Sequence, residues 1–308
     1  FYRLRIYITA NRAFCKDLTK DSTMFIMYDE VKHMNAHDWL EKARALEPTM
    51  YDFALWSPDE AIYERIQPHS NCGNCYSVAK TFVSTAIGML RDEGKLDVSD
   101  PILRYFGWRR GMDPKWADVT IDHALRHRIG FDEGFLDVDA EDVSAYPTDD
   151  YLSMVFDRPL PLEPGSERHY SDAAFYLLAR LVERVSGKDV ELFLAERLFR
   201  PMHFREYAWS RCPEGHPIGA TGLYLRSDDV VKLGAMYACG GVFEGRRYVS
   251  EAWIRLMYAR EYELHPHDPF AEVEFPEWMM KGGMYGQALL IHKTLPLSIA
   301  WHAARHEP

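Results

Sequence analysis

The sequence has no run of about 18 apolar residues, which is the length that a transmembrane helix needs. It also has no block of basic residues. The chain contains 36 Lys and Arg and 47 Asp and Glu, which gives a formal net charge of −11. A chain with this balance has little attraction for a nucleic-acid backbone. We therefore expect no membrane span and no nucleic-acid partner, and the dispersed acidic residues indicate a solvated surface.

Cysteine is scarce and odd in number, with five residues scattered over 308 positions, which disfavours a disulfide framework. Cys72-Gly-Asn-Cys75 has C-x-x-C spacing, but no second pair accompanies it, so a structural zinc site is not expected. Histidine and aspartate side chains can bind metal ions, and His265, His267 and Asp268 lie close together in the sequence. However, they lie in a Pro-rich acidic stretch that is typical of a solvated loop. The sequence thus predicts reduced thiols, no metal site and a cytoplasmic location.

The spacing of apolar residues predicts strands near both ends of the chain and helices between them. Residues 51–56 and 61–66 are strand-like and flank a good turn at 57–60, so we expect a hairpin. Strands are also predicted at 285–291 and 297–302. The predicted helices cover 36–46, 77–90, Thr120 to Gly130, Asp172 to Gly187, 191–199, Ser227 to Gly240 and a segment after Ser250, and 261–278 is predicted to be a loop.

This order of elements favours an α/β protein whose sheet is built from both ends of the chain. A length of 308 residues suggests two domains, at roughly 150 residues each. We predict that residues 1–72 and 283–308 form a sheet domain. Residues 73–282 are predicted to form a mostly helical domain inserted between them.

The most informative chemical signal is Ser77-Val78-Ala79-Lys80. Residues three apart share a helix face, and Ser77 and Lys80 fall on the narrow polar stripe of an otherwise apolar predicted helix. A buried ammonium is costly unless it is paired or functional. A serine hydroxyl becomes nucleophilic beside a base, and N–H groups at a helix start can stabilise an oxyanion. The pair favours nucleophilic catalysis, with chance occurrence of a short motif as the alternative.

Further motifs follow Ser77 in a fixed order. They are Glu93-Gly94-Lys95-Leu96 with Asp100-Pro101, Thr120-Ile121 with Leu125, His127 and Gly130, Pro164-Gly165, Tyr170-Ser171-Asp172, Leu198-Phe199-Arg200-Pro201-Met202, and Gly222-Leu223 with Ser227 and Asp229. Each is weak alone, but over residues 50–302 the ordered set resembles the serine β-lactamase and penicillin-binding-protein-like family, in the branch of class C β-lactamases, D,D-peptidases and related carboxylesterases. No G-x-S-x-G motif occurs, which disfavours an α/β-hydrolase.

The resemblance implies a proton-relaying tyrosine beside the Ser77–Lys80 pair. Tyr170-Ser171-Asp172 matches the family's Tyr-x-Asn motif, with Asp172 where Asn is expected. The alternative is that Ser171 or Asp172 only caps the following helix.

The resemblance also implies a Lys/His-x-Gly motif on a strand. Trp301-His302-Ala303-Ala304 fits it, with Ala304 in place of Gly. Lys281-Gly282-Gly283 is a competing match, but Tyr285-Gly286-Gln287 resembles the strand that precedes the motif, which leaves Lys281 too early. For His302 the alternative is an ordinary strand histidine.

The family's fold is β-lactamase/transpeptidase-like, with an antiparallel sheet flanked by helices, an inserted mostly helical domain and an active site in the cleft between them. The resemblance implies a metal-independent serine hydrolase without cofactor that forms an acyl-enzyme on Ser77, with Lys80 and Tyr170 sharing the proton transfer. The implied substrate-binding residues are Asp172, His302 and Ala304. The resemblance also implies that the N–H groups of Ser77 and Ala304 form the oxyanion hole.

Small ester or amide substrates are expected, with esters favoured, because a carboxylate at position 172 repels the carboxylate that β-lactams and D,D-peptides share. Two alternatives stay open: a β-lactamase or D,D-carboxypeptidase proper, and an inactive member that serves as a binding or scaffold protein. The sequence predicts no oligomeric state. The chain ends six residues after His302, where the family continues, so we expect it to be truncated there.

Overall fold

The computed structural model describes residues 34–270 and 277–305. The chain divides into two compact units. The sheet unit contains the described residues up to Gly73, Leu225–Tyr248 and the described residues from His265 onward. The helical unit contains Asn74–Tyr224 and Val249–Leu264.

The sheet unit is built on a six-stranded antiparallel sheet with the order β2-β1-β11-β10-β9-β8. Its strands are β1 Met50–Trp56, β2 Ala61–Arg65, β8 His265–Pro266, β9 Trp278–Gly282, β10 Ala288–His292 and β11 Ser298–Ala303. The predicted hairpin is β1–β2, and β11 pairs with β1, with His302 opposite Asp52. Strands from both parts of the chain therefore share one sheet, as the sequence predicted.

Side chains alternate between the two faces of this sheet. Phe53 of β1 and Ile299 of β11 pack against helix α1, Ala36–Leu46, in one apolar cluster. Helix α8, Ser227–Ala238, packs against β1, β10 and β11. A Cβ atom on Gly234 of α8 would lie 1.9 Å from Ser298 Oγ, so only glycine lets this helix approach the sheet so closely. The small strands β6 Val242–Phe243 and β7 Arg246–Arg247 form a hairpin in the same unit.

The helical unit packs around α6, Asp172–Ser186, whose residues are buried as far as Val182. Helix α6 contacts three other helices, which are α2 (Ala79–Asp92), α4 (Ile121–Leu125) and α7 (Val190–Leu194). Helix α7 continues as a π-helix through Phe199. The other helices are α3 Leu103–Phe106, α5 Tyr151–Asp157 and α9 Glu251–Arg260, and the short strands are β3 Gly73–Asn74, β4 Ala208–Trp209 and β5 Leu223–Leu225. Lys80 and Asp172 both lie near the start of buried helices, α2 and α6.

Most predicted elements are confirmed, and three of the differences have local reasons. The helix predicted from Ser77 begins at Ala79, because residues 76–78 form a 3₁₀ turn. The helix predicted from Thr120 to Gly130 ends at Leu125, because His127 has a left-handed φ of 55° that an α-helix excludes. The loop predicted at 261–278 contains β8 and the first residue of β9; part of it, residues 271–276, lies outside the described residues. None of the helices in the described ranges is long and apolar enough to cross a membrane.

Candidate active site

Ser77 lies in the 3₁₀ turn that runs directly into α2. Two hydrogen bonds fix the chain just before it: Cys75 N–H donates to the Leu223 carbonyl at 2.8 Å, and Tyr76 N–H donates to Asn74 Oδ1 at 2.9 Å. Tyr76 has a φ of 45°, a left-handed conformation that costs free energy and is often found at functional sites. The turn keeps the half-buried Ser77 three residues before Lys80, so the two side chains lie on the same side of the helix start.

Lys80 is fully buried, and its ammonium has three partners. Its Nζ lies 3.0 Å from Ser77 Oγ, 3.0 Å from the Ala220 carbonyl oxygen and 2.8 Å from Asp172 Oδ1. An ammonium has three protons to donate, so each proton has an acceptor. Burial lowers the pKa of Lys80, but nearby negative groups, Asp172 foremost, raise it more, and the resulting pKa is above its ordinary value. Lys80 is therefore a positive charge held beside the serine oxygen.

Tyr170 approaches the same serine oxygen from another direction. Its hydroxyl donates to Ser77 Oγ at 2.7 Å. Its ring covers the ammonium of Lys80, with Nζ 4.8 Å from the ring centroid, which is within cation–π range. Tyr170 is 39% exposed, whereas Lys80 is fully buried. The serine oxygen thus contacts an ammonium from the interior and a phenol that solvent can reach.

Asp172 is the first residue of α6. The N-cap residue of that helix, Ser171, makes no side-chain capping hydrogen bond. The Asp172 side chain instead forms an ion pair with Lys80, and the two side chains are 7% and 0% exposed. A helix-capping role alone does not account for this contact. A carboxylate is also favoured at a helix start, because the N-terminal end of the helix dipole is positive.

Two further carboxylates, Asp137 and Asp139, interact electrostatically with Asp172. Thr221, which follows the lysine acceptor Ala220, donates its hydroxyl to Asp139. Burial raises the pKa of both carboxyls above the ordinary value, and the charge of Asp172 adds to the effect. Sequence reasoning missed these two residues, which lie in a loop without regular spacing. They make the surroundings of Lys80 richer in acids than the motif at 170–172 suggests.

His302 and Ala304 lie in the sheet unit, at the end of β11. The backbone N–H of His302 donates to Asp52 Oδ1 at 2.9 Å, and its Nδ1 lies 3.2 Å from the same oxygen. His69 Nε2 lies 3.5 Å from the other oxygen of Asp52. Burial raises the pKa of Asp52, but His302 lowers it more, so the pKa is below its ordinary value. Ala304 N–H donates to the Thr49 carbonyl at 3.4 Å.

His302 and Asp52 are therefore the buried members of a His–Asp–His cluster with His69. The predicted role of His302 in binding substrate, like that of Ala304, stays a prediction. Asp52 was not singled out in the sequence. The available signal was a lone acid in the otherwise largely apolar strand 50–56. The competing match, Lys281, lies within β9 of the same sheet. Across residues 34–270 and 277–305, no group of three or more His, Cys, Asp or Glu side chains is arranged to hold a metal ion.

Comparisons with curated proteins agree with the motifs. Over 197 residues the chain is 27% identical to the 6-aminohexanoate-dimer hydrolase of Paenarthrobacter ureafaciens, covering 59% of this chain and 50% of that protein. Over 146 residues it is 28% identical to the esterase EstB of Burkholderia gladioli, covering 42% of this chain and 36% of that protein. The chain spans half or less of the length of the curated relatives it matches.

Solved structures show the same fold. The penicillin binding protein from Bacillus halodurans has a TM-score of 0.66 at 18% identity, covering 89% of this chain and 96% of that one. A family VIII carboxylesterase has a TM-score of 0.66 at 16% identity, covering 86% and 91%. The predicted β-lactamase/transpeptidase-like fold, with its antiparallel sheet and flanking helices, is confirmed.

The sequence model described as Beta-lactamase matches residues 74–308, which is most of the chain. The match begins at the segment that leads into the Ser77 turn and includes Lys80, Tyr170 and Asp172. These residues, far apart in sequence, form one hydrogen-bonded group in the helical unit. On both grounds, the chain belongs to the β-lactamase family.

Proposed function

We propose that this chain hydrolyses small ester or amide substrates through an acyl-enzyme on Ser77, without a metal or other cofactor. The proposal rests on the contacts of Ser77 Oγ, which lies 2.7 Å from the Tyr170 hydroxyl and 3.0 Å from Lys80 Nζ. A nucleophile in contact with a proton-transferring group and a positive charge is the arrangement that acyl transfer requires.

In this proposal Ser77 Oγ attacks the carbonyl carbon of the substrate, and its proton passes to the Lys80–Tyr170 unit. That unit must hold one proton fewer than its fully protonated form. Because Asp172 keeps Lys80 charged, we assign the transfer of the serine proton to Tyr170. The Tyr170 oxygen, 2.7 Å from Ser77 Oγ, accepts the serine proton and returns it to the leaving alcohol or amine. Water then attacks the acyl ester with the same base, which releases the acid and restores Ser77.

The charges near the site favour uncharged acyl groups. Asp172 contributes a negative charge directly beside Lys80, and Asp137 and Asp139 interact with Asp172 electrostatically. Like charges repel, and more strongly where burial reduces screening by water. A substrate carboxylate near Ser77 would meet this repulsion, whereas a neutral ester would not. The curated relatives include an esterase, which agrees with this preference.

The first test is covalent labelling. A fluorophosphonate probe should label the native chain once, as detected by intact mass, and the label should be absent from Ser77→Ala. A labelled penicillin should react more slowly than the fluorophosphonate. Faster labelling by penicillin would favour the alternative of a β-lactamase or D,D-carboxypeptidase, and no labelling by either probe would favour an inactive binding or scaffold protein.

Replacement of Asp172 by Asn should raise the ratio of cephalosporin to neutral-ester hydrolysis. The substitution removes the charge that repels a substrate carboxylate and adds an N–H donor for a peptide-like carbonyl. The measurement is kcat/KM for a chromogenic cephalosporin and for a short acyl ester. Asp118→Asn, the same change on the surface of the helical unit, is the matched control. An unchanged ratio in Asp172→Asn would contradict the proposed role of this charge.

The Cys72/Cys75 pair should be dispensable for hydrolysis. The pair stands alone in the sequence, with no second pair to complete a zinc site. Ester hydrolysis by the native chain should therefore persist in a chelator and in a reductant, and the Cys72→Ala/Cys75→Ala variant should keep its rate. A rate that falls with the chelator and returns with zinc would show that this expectation is wrong.

A further inference from the structure

A second buried pair of titratable side chains lies next to the candidate catalytic group in the helical unit. His127 and Glu263 are 2% and 0% exposed, and His127 Nε2 lies 2.7 Å from Glu263 Oε1. Both residues have a left-handed backbone, with φ of 55° and 65°. Such conformations persist in non-glycine residues only where surrounding contacts enforce them. The mechanism proposed above does not use either side chain.

The hydrogen bonds of His127 determine which ring nitrogen holds the proton. The backbone N–H of Ser171 donates to His127 Nδ1 at 3.1 Å. Because an N–H group can only donate, Nδ1 must be the unprotonated nitrogen, and the ring proton lies on Nε2. That proton is donated to Glu263. A histidine protonated on Nδ1 would lose the bond to Ser171, so the carboxylate and the backbone N–H together specify one tautomer.

His127 holds the tyrosine segment at three points. Its carbonyl accepts from His169 N–H at 2.9 Å, its ring lies against Tyr170 with a centroid distance of 4.4 Å, and its Nδ1 accepts from Ser171. Ser171 lies between Tyr170, which contacts Ser77, and Asp172, which contacts Lys80. A shift of this segment would therefore move both contacts.

Glu263 is fixed relative to His127 by a neighbouring network. Arg260 Nη2 donates to Asp122 Oδ2 at 2.7 Å, and the Tyr262 hydroxyl donates to the other oxygen of Asp122. Asp122 belongs to α4, the helix that ends shortly before His127. The segment that contains Glu263 is thus attached to the helix that leads into His127.

We propose that His127 and Glu263 are positioning residues for the hydrolysis, with Glu263 fixing the His127 tautomer that holds the Tyr170 hydroxyl on Ser77. This inference rests on the proposed function, because it assigns the pair a role in that reaction. The two residues act by keeping the tyrosine segment where proton transfer to and from Ser77 is possible.

The kinetic test is Glu263→Gln, which keeps the shape of the side chain but can either accept from or donate to the imidazole, so that Ser171 N–H alone then favours the native tautomer. We expect kcat for a short acyl ester to fall by up to about 100-fold, as a misplacement of about 1 Å in a catalytic group can cause. KM should stay unchanged, because the proposed effect of the pair is on the tyrosine segment. Glu277→Gln is the matched control, since Glu277 Oε2 lies 3.1 Å from His292 Nε2 in the sheet unit.

The second variant is His127→Asn, whose amide oxygen can still accept from Ser171 and whose backbone tolerates a left-handed φ. When the concentration of active sites is determined by titration with fluorophosphonate, kcat per active site should be higher for His127→Asn than for His127→Ala. Nitrogen NMR of histidine-labelled native chain should show, for the signal lost in His127→Asn, a protonated Nε2 and an unprotonated Nδ1. The opposite tautomer, or an unchanged kcat in Glu263→Gln beside an active native chain, would overturn the inference alone. A native chain that neither turns over esters nor reacts with fluorophosphonate would overturn the proposed function together with it.

Discussion

Ser77→Ala should lower kcat for a short acyl ester by about 10⁴- to 10⁶-fold, the range seen when members of a serine-hydrolase catalytic group are removed. The reason is chemical, because no other atom at this position can form the acyl-enzyme. Lys80→Ala should cost nearly as much, since it removes the positive charge 3.0 Å from Ser77 Oγ. The measurement is the steady-state rate of ester release by each purified variant, with circular dichroism to establish folding.

Matched surface substitutions separate this effect from general damage. Ser144 and Lys95 are exposed residues of the same helical unit, away from Ser77 in sequence. Ser144→Ala and Lys95→Ala should therefore keep the native rate. If folded Ser77→Ala and Lys80→Ala also kept it, the assignment of the nucleophile and of the whole site would be wrong.

Asp172→Ala should lower the free energy of unfolding by about 3–5 kcal/mol, which is typical when one partner of a buried ion pair is removed. The Lys80 ammonium would remain fully buried without the carboxylate now 2.8 Å away. The measurement is urea unfolding at neutral pH, followed by circular dichroism. Because the folded protein holds the pKa of Lys80 above its ordinary value of 10.5, this contribution is complete below that pH and is lost as the pH rises through the folded-state pKa.

A double variant tests whether the loss arises from the unpaired charge. In Lys80→Met/Asp172→Ala no ion stays buried at this position, so unfolding should require more urea than in Asp172→Ala alone. Asp118→Ala, on the surface of the helical unit, should leave the free energy of unfolding nearly unchanged. Equal stability of Asp172→Ala and Asp118→Ala would mean that the ion pair contributes nothing to folding.

Local patterns were sufficient to predict the elements that carry the site. Helix α1 matches its prediction residue for residue. Helix α6 ends at Ser186, and the following Gly187, the glycine predicted to stop it, has a left-handed φ of 74°. The predicted Thr120 cap is present, because the Thr120 side chain accepts from His123 N–H. Capping and periodicity depend on residues within one or two turns, and such information is contained in a short stretch of sequence.

Boundaries failed where a residue adopts a backbone that local preference does not predict. Tyr76 and His127 have left-handed φ values, which convert the predicted starts and ends of two helices into turns. For His127 the compensating contacts come from Ser171 and Glu263, the latter 136 residues away. Contacts over that separation depend on how the helices pack, which no local pattern specifies.

The sequence by itself determined that Ser77 and Lys80 meet, because they are three residues apart and a single helical turn brings them together. With the ordered motifs, it also determined the family and the strand–helix–strand plan of the chain. Only the tertiary structure decided which other residues contact this pair. Tyr170, which contacts Ser77, lies 93 residues away in sequence. Asp172 and Ala220 contact Lys80 from two separate segments, and Glu263 contacts His127 from a third. Burial then fixes the outcome, since an ammonium and two carboxylates excluded from water must be paired, and the packing of α2, α6 and the segment after α9 determines the pairs.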